Sequence, residues 1–248
     1  MTQRIALVTG AAKGIGLATS QKLIAADCKV VMVDRLPIDL GKLGMSSENA
    51  LAFSGDVSDA AFLLRLKEQI DARLGTVSIL VNNAGISPKR SDGRSSGILE
   101  VTIDEWSKVL MINLTTVMQL SQLFLPGMQA QKFGRIVSLS SLAGRSKSIV
   151  AGPSYMASKA GVLGLMRAIA SEMGPYGITA NCVAPGRILT DMAMQAGEEV
   201  NRRYAEQIPV RRLGTADEVA DAIAFLCAES SGFINGATID INGGFFMS

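Results

Sequence analysis

The sequence predicts an α/β protein of one domain, a parallel sheet with helices packed on both faces. Three observations lead there. Short apolar runs ending in glycine or a polar residue alternate with longer stretches of helical period, the pattern of strands joined by right-handed crossovers. The 248 residues are 48% hydrophobic and 19% charged, which supports a sizeable core. No linker, low-complexity tract or internal repeat divides the chain, so residues 1–248 read as a single domain.

The elements follow in order. Ile5–Thr9 is a short apolar run expected to be a buried strand. Gly10-Ala-Ala-Lys13-Gly14-Ile15-Gly16 comes next, then a helical pattern through Leu17, Leu23 and Ile24, then a second run, Val30–Val33, ending in Asp34. Strand, glycine loop, helix, strand and acid is the dinucleotide-binding unit of Rossmann-type folds. Glycines permit the tight turn and the close approach of backbone to pyrophosphate, and the helix N-terminus favours its negative charge.

Asp34 stands where a carboxylate can accept hydrogen bonds from the adenosine ribose hydroxyls. It would repel a 2′-phosphate, so NAD(H) is expected over NADP(H). Lys13 points the other way, since a cation in the loop could pair with that phosphate; it could equally be a solvated loop lysine.

Leu51–Val57 reads as a third strand with Asp56 at its end, placed to reach the adenine amino group or simply to make a turn, with Ser58 or Asp59 capping the next helix. Val77–Asn82 is a fourth strand, breaking at Asn82-Asn83-Ala84-Gly85, where small residues would admit a bound adenosine. The polar, basic stretch from Ile86 to Gly97 is a long loop, and such loops are usually functional or mobile. Thr102-Ile-Asp-Glu105 is a capping box opening a long helix through Trp106, Leu114, Leu120 and Leu123, with Asn113 among its apolar residues.

Gly134–Leu139 is a fifth strand leading to Ser140 and Ser141, which lie a short loop before Tyr155. The next helix carries Tyr155-Met-Ala-Ser-Lys159, whose four-residue spacing puts phenol and ammonium on one face. An ammonium about 4 Å from the phenol would favour phenolate by roughly 4 kcal/mol at an effective dielectric near 20, making the tyrosine a usable base. Ile178–Val183 is a sixth strand closed by Ala184-Pro185-Gly186, and Ala237–Ile241 a last one. Between them, residues 187–212 are Met-rich, charged and partly helical. They read as a flap over the site or as two surface helices. Thr215-Ala-Asp-Glu218 is a second capping box.

Composition removes other classes. There is no histidine, which excludes Ser-His-Asp hydrolases, His-ligated zinc and His-ligated haem. Cys28, Cys182 and Cys227 are isolated, so they read as core residues in a reducing compartment, and no metal site is expected. The net charge of +2, without like-charge blocks, gives no reason to expect nucleic acid or membrane as a partner. With no signal-like run and no stretch of 18 apolar residues, a cytoplasmic protein is expected.

Taken together, Thr9-Gly10-x-x-x-Gly14-x-Gly16, Asp56, Asn82-Asn-Ala-Gly85, Asn113, Ser141, Tyr155-x-x-x-Lys159, Pro185-Gly186 and Asn242-Gly-Gly244 resemble the short-chain dehydrogenase/reductase family nearly end to end. The nearest branch holds 3-oxoacyl-carrier-protein reductases and secondary- or sugar-alcohol dehydrogenases. The resemblance implies a sheet of about seven strands and a homotetramer. It implies that Tyr155 is the general acid/base, with Lys159 depressing its pKa and binding the nicotinamide ribose. Ser141 (with Ser140 as fallback) would bond the reacting oxygen, Asn113 would hold a water, and Thr190 would meet the carboxamide. Cofactor contacts are expected at Gly10, Lys13, Gly14, Ile15, Gly16, Asp34, Asp56, Val57, Asn83, Ala84, Gly85, Tyr155, Lys159, Pro185, Gly186, Ile188 and Thr190. The function implied is NAD-dependent interconversion of a small secondary alcohol and its ketone, the alternative being NADPH-dependent reduction of a 3-oxoacyl thioester.

Two departures stand out. The loop from Ile86 to Glu100 is longer than is typical of this branch, and Arg187 occupies a position more often apolar. An anionic substrate held by Arg187, Arg145 or a loop cation is one reading; pairing of these cations with surface carboxylates is the other.

Overall fold

In the computed structural model, which describes residues 3–148, 150–194 and 197–247, seven strands form one parallel sheet. They are β1 (Ile5–Thr9), β2 (Lys29–Asp34), β3 (Ala50–Ser54), β4 (Ile79–Asn82), β5 (Gly134–Leu139), β6 (Ile178–Pro185) and β7 (Thr238–Ile241), in the order β3-β2-β1-β4-β5-β6-β7. The order reverses between β1 and β4, which opens a crevice at the carboxyl ends of those strands.

The helices are α1 (Gly14–Ala25), α2 (Ala60–Arg73), α3 (Ile103–Leu110), α4 (Thr116–Gln131), α5 (Pro153–Met173), α6 (Asp191–Met194), α7 (Glu198–Gln207) and α8 (Ala216–Cys227). Strand alternation sorts the core into two layers. Leu7, Val31, Leu80, Ile136 and Cys182 face one way, against Leu66 and Ile70 of α2, Leu120 and Phe124 of α4, and Val162 and Met166 of α5. Ala6, Val8, Val30, Met32, Val81, Val137 and Val183 face the other way, against Leu23 of α1 and Val219, Ile223 and Leu226 of α8. Leu80 is fully buried at the sheet centre. Truncating such a leucine to alanine costs about 2–5 kcal/mol.

Four local expectations need correction. β3 stops at Ser54, so Asp56 lies in a turn, where its Oδ1 accepts from the Ser58 N–H at 2.8 Å and the Ser58 hydroxyl at 2.6 Å. β4 starts at Ile79 rather than Val77, although Val77 is buried. The capping box at Thr102 is half formed: Thr102 Oγ1 accepts from the Glu105 N–H at 3.1 Å, but the Glu105 carboxylate accepts from Ser96 Oγ at 2.7 Å and Ser154 Oγ at 3.3 Å. Glu105 thereby ties the long loop to α5. The box at Thr215 and Glu218 is complete.

The long helix is also interrupted. Between α3 and α4, Met111–Thr115 forms a π-helical turn containing Asn113. Such turns concentrate at functional sites, because the extra residue re-aims side chains. By length and mean hydropathy (1.3), Ile103–Gln131 could cross a membrane. Here it is a core element: Val109, Val117, Leu120 and Phe124 are buried. The three cysteines are buried and unpaired, as expected of core residues.

Candidate active site and cofactor cleft

The carboxyl ends of the strands open onto a cavity of about 690 Å³. Its cofactor end is built from backbone. Gly10 and Gly14 adopt φ of +65° and +57°, a region that glycine enters without strain. A Cβ at Gly10 would stand 2.8 Å from Asn83 Nδ2, so β1 and the turn after β4 touch only because Gly10 has none. Asn83 Nδ2 donates to the carbonyls of Thr9 (2.9 Å) and Gly10 (3.0 Å), while Thr9 Oγ1 accepts from the N–H groups of Asn83 and Ala84 at 3.1 Å each. The sequence had shown the glycines but not this lacing.

Asp34 closes the same end. Its Oδ2 accepts from the Ala12 N–H at 3.0 Å and its Oδ1 from the Leu36 N–H at 2.9 Å. The carboxylate therefore holds the glycine loop in shape as well as lining the cavity. Lys13, Ile15, Asp56, Val57, Ala84, Gly85, Pro185, Gly186, Ile188 and Thr190 also line it. Lys13 pairs with Asp191 at 2.7 Å, so its charge is already partnered. Ser58 donates to Asp56 and holds that carboxyl below its usual range.

Gly16 does not reach the cavity wall. A Cβ there would sit 2.1 Å from the Gly10 carbonyl oxygen, which makes it the glycine that lets α1 close on β1. Among the predicted residues, Asn113 is likewise absent from the wall. Its Oδ1 accepts from the Ile86 N–H at 2.8 Å, and its Nδ2 donates to the Ile86 carbonyl (3.0 Å) and to Ser158 Oγ (3.1 Å). The amide pins the start of the long loop to α5.

The opposite end brings together Ser141, Tyr155 and Lys159, the predicted catalytic residues, on the cavity wall. Ser141 caps the short turn Leu142–Gly144, accepting from the Ala143 N–H at 3.1 Å. Ser140 is turned inward and donates to the Lys159 carbonyl at 2.8 Å. A Cβ at Gly144 would meet the Lys159 carbonyl carbon at 2.7 Å, so glycine is needed for this turn to lie against α5.

The electrostatics differ from those the Tyr-x-x-x-Lys spacing suggests. Lys159 lies 5.7 Å from the Tyr155 ring centroid, but its Nζ donates to the Leu139 carbonyl at 2.6 Å. Burial lowers its pKa to about 8. Burial also pushes the Tyr155 phenol up, opposed only by a hydrogen bond with the Ser141 side chain. The ammonium serves the end of β5 rather than the phenol oxygen, and desolvation outweighs attraction.

The segment after β6 is pinned at its neck, where Ile188 bridges Gly214 and the Leu189 N–H donates to the Gly214 carbonyl at 2.8 Å. Between these points lie α6 and α7, packed together, with Ala193 and Tyr204 on the cavity wall. Met192, Gln195 and Ala196 of this segment fall wholly or in their side chains outside the described residues.

A family model described as Enoyl-(Acyl carrier protein) reductase matches residues 10–246. An acetoacetyl-CoA reductase of Shinella zoogloeoides is 38% identical over 98% of this chain and 99% of its own. The chain belongs to the short-chain dehydrogenase/reductase family. Nodulation protein G of Azospirillum brasilense is 37% identical over 98% of each chain. Among solved structures, a 3-oxoacyl-[acyl-carrier protein] reductase with bound NAD from Brucella melitensis superimposes with a TM-score of 0.88 at 36% identity, covering 99% of this chain and 92% of that one.

As a short-chain dehydrogenase/reductase, the protein is an oxidoreductase of the CH–OH class that uses a nicotinamide dinucleotide. The cleft fits that cofactor. Its far wall is glycine backbone with a carboxylate beyond it, and Gly85 leaves open the space beside Lys159 Nζ, which a Cβ would approach to 3.5 Å. Sequence reasoning named Lys89 only as one of three loop cations, and missed Ser158, Asn201 and Tyr204. Ser158 sits in the Tyr-x-x-x-Lys motif itself; Tyr204 lines the cavity and Asn201 holds Arg187, both through contacts distant in sequence.

Proposed function

We propose that the protein interconverts a secondary alcohol and its ketone with NAD(H), with Tyr155 as general acid/base. One observation carries this reading: a single cavity has Ser141, Tyr155 and Lys159 on one wall and the Gly10–Gly14 loop with the Asp34 carboxylate at its other end. The bound nicotinamide supplies or accepts the hydride. Tyr155 Oη gives its proton to the forming alkoxide in reduction, or takes the hydroxyl proton in oxidation. The raised pKa keeps the phenol protonated near neutrality, ready to donate. Ser141 Oγ holds the reacting oxygen, and Lys159 positions the cofactor's ribose. Asn113 acts through the loop and α5 that it joins.

Asp34 supports the choice of NAD(H): a 2′-phosphate beside this carboxylate would bring like charges together without a free Lys13 to offset them. Residues 187–212 are proposed as the substrate flap, hinged at the Ile188–Gly214 bridge. A homotetramer is proposed as well, supported by the exposure of Leu99 (97%) and Phe233 (103%).

The relatives named as 3-oxoacyl-carrier-protein and acetoacetyl-CoA reductases favour a second reading in substrate, reduction of a 3-oxoacyl thioester, for which NADPH is the alternative cofactor. Initial rates separate the two. Turnover of simple secondary alcohols with NAD⁺, exceeding acetoacetyl-CoA reduction with NADPH, is the expected result; the reverse ranking establishes the second reading.

A further inference from the structure

Of the cations on the cavity wall, Lys13 pairs with Asp191, Arg35 approaches Asp56 at 3.8 Å, Lys159 donates to the Leu139 carbonyl and Lys147 is exposed; beyond the wall three arginines are paired. Arg145 pairs with Asp240, Arg90 with Glu100, and Arg94 with Asp92. These are neutralised, which removes Arg145 as an anchor. Lys89 and Arg187 line the cavity, are half-buried, and have no carboxylate partner among the described residues.

Neither is hydrogen-bonded to capacity. Lys89 Nζ donates to Ser95 Oγ at 2.9 Å and to the Val150 carbonyl, leaving one of its three donors over. Arg187 donates from Nε and Nη2 to Asn201 Oδ1 (3.0 and 2.8 Å) and from Nη2 to the Ala193 carbonyl (3.0 Å), so that among the described residues Nη1 has no acceptor. Its Cζ lies 5.6 Å from the Tyr204 ring centroid. Burial and the neighbouring Arg187 charge both lower the Lys89 pKa, so two like charges share one partly dehydrated space. Unpaired charges in such a place are costly unless something of opposite sign enters. The acid that also lines the cavity nearby, Asp191, is taken by Lys13.

We infer that Lys89 and the Nη1 edge of Arg187 form an anion clamp, and that the substrate is a hydroxy acid whose own carboxylate sits between them. This deepens the proposed function and rests on it for the reacting end. The carboxylate then fixes which face of the carbinol meets Tyr155, and the long loop serves to carry Lys89 over the site.

Lactate, 3-hydroxybutyrate and 4-hydroxypentanoate step the carboxylate away from the carbinol one carbon at a time, and each is to be compared with its carboxamide. The wild-type enzyme with NAD⁺ is expected to prefer one acid over its amide by about tenfold or more in kcat/KM, the size of a charge-assisted contact. Arg187→Gln and, separately, Lys89→Gln should collapse that ratio toward one. The ratio is independent of each variant's overall activity, and failure of one variant to fold leaves the other. Amides oxidised as well as acids would overturn the clamp while leaving the catalytic reading intact.

Should neither series turn over, the catalytic reading fails. Calorimetric titration of the acids and amides into Tyr155→Phe protein saturated with NAD⁺ then reads the clamp alone. An acid bound about tenfold tighter, and not so in Arg187→Gln, supports it; equal binding overturns it. Reduction of acetoacetyl-CoA that depends on Lys89, with no acid preferred, would assign the cations to a carrier phosphate and likewise overturn it.

Discussion

The two ends of the cavity are made differently. The cofactor end is assembled from residues close to strand termini and held by backbone groups: Asn83 to the Thr9 and Gly10 carbonyls, Asp34 to the Ala12 and Leu36 N–H groups. The substrate end is assembled from long excursions, with Lys89 on the loop after β4 and Arg187, Ala193 and Tyr204 on the segment after β6. Backbone recognition needs little from side chains, so the first end suits any dinucleotide enzyme of this fold. Side-chain charge in a loop is the part that can vary with substrate. On the proposed function, the fold supplies the reaction and the excursions supply the choice of molecule.

Substitutions can break that contrast, beginning with the largest effect. Tyr155→Phe is expected to lower kcat by about a hundredfold to ten-thousandfold, while fluorescence titration still shows reduced cofactor binding. Loss of both together would mean that the two ends are not separable. Gly16→Ala sets a Cβ 2.1 Å from the Gly10 carbonyl oxygen. An expected loss of about 1–3 kcal/mol in denaturant unfolding, with weakened cofactor binding, would locate the strain at the backbone end. Unchanged stability would contradict the close α1–β1 approach.

Asp34→Ala should shift the NADP⁺/NAD⁺ ratio of kcat/KM upward by about tenfold or more by removing a like charge. It should also loosen the glycine loop by about 1 kcal/mol per lost hydrogen bond. At the substrate end, Arg145→Gln should leave acid-to-amide selectivity unchanged, because Asp240 already holds that cation.

Lys159 gives a smaller, pH-dependent effect. It releases its proton near 8 in the folded chain, against an ordinary value of 10.5. Below about pH 8 both folded and unfolded chains carry the charge, and the whole cost of burying it is present. As pH rises from there toward 10.5, the unfolded chain holds more protons and this cost is relieved, so stability rises. The melting temperature of Lys159→Met relative to wild type should therefore be higher at pH 7 than at pH 10. A difference independent of pH would show that the ammonium is not held at a desolvation cost.

Legibility in the sequence follows the same division. Strands were readable because they are buried on both faces and so run as unbroken apolar segments, as in Ile5–Val8 and Val30–Val33. The glycine loop and Asp34 were readable because backbone recognition leaves few alternatives in residue type. The π-helical turn at Asn113 was not, since inserting a residue into a helix leaves the apolar spacing almost unchanged. Glu105 read as half of a capping box because that depends on local spacing, whereas its actual bonds to Ser96 and Ser154 depend on how the loop meets α5. The ammonium of Lys159 was placed beside the phenol from helix geometry alone. Its nearer partner, the Leu139 carbonyl, is visible only once β5 and α5 are packed together. Arg145 and Arg187 looked equivalent in sequence, and Asp240, far along the chain, separates them.

The most direct test of the account is a fluorescence titration of wild-type protein with NADH and with NADPH under identical salt. Tighter binding of NADH, lost in Asp34→Ala, is the predicted result. Tighter binding of NADPH to the wild-type protein would contradict the role given to Asp34 and bring the thioester-reductase reading forward.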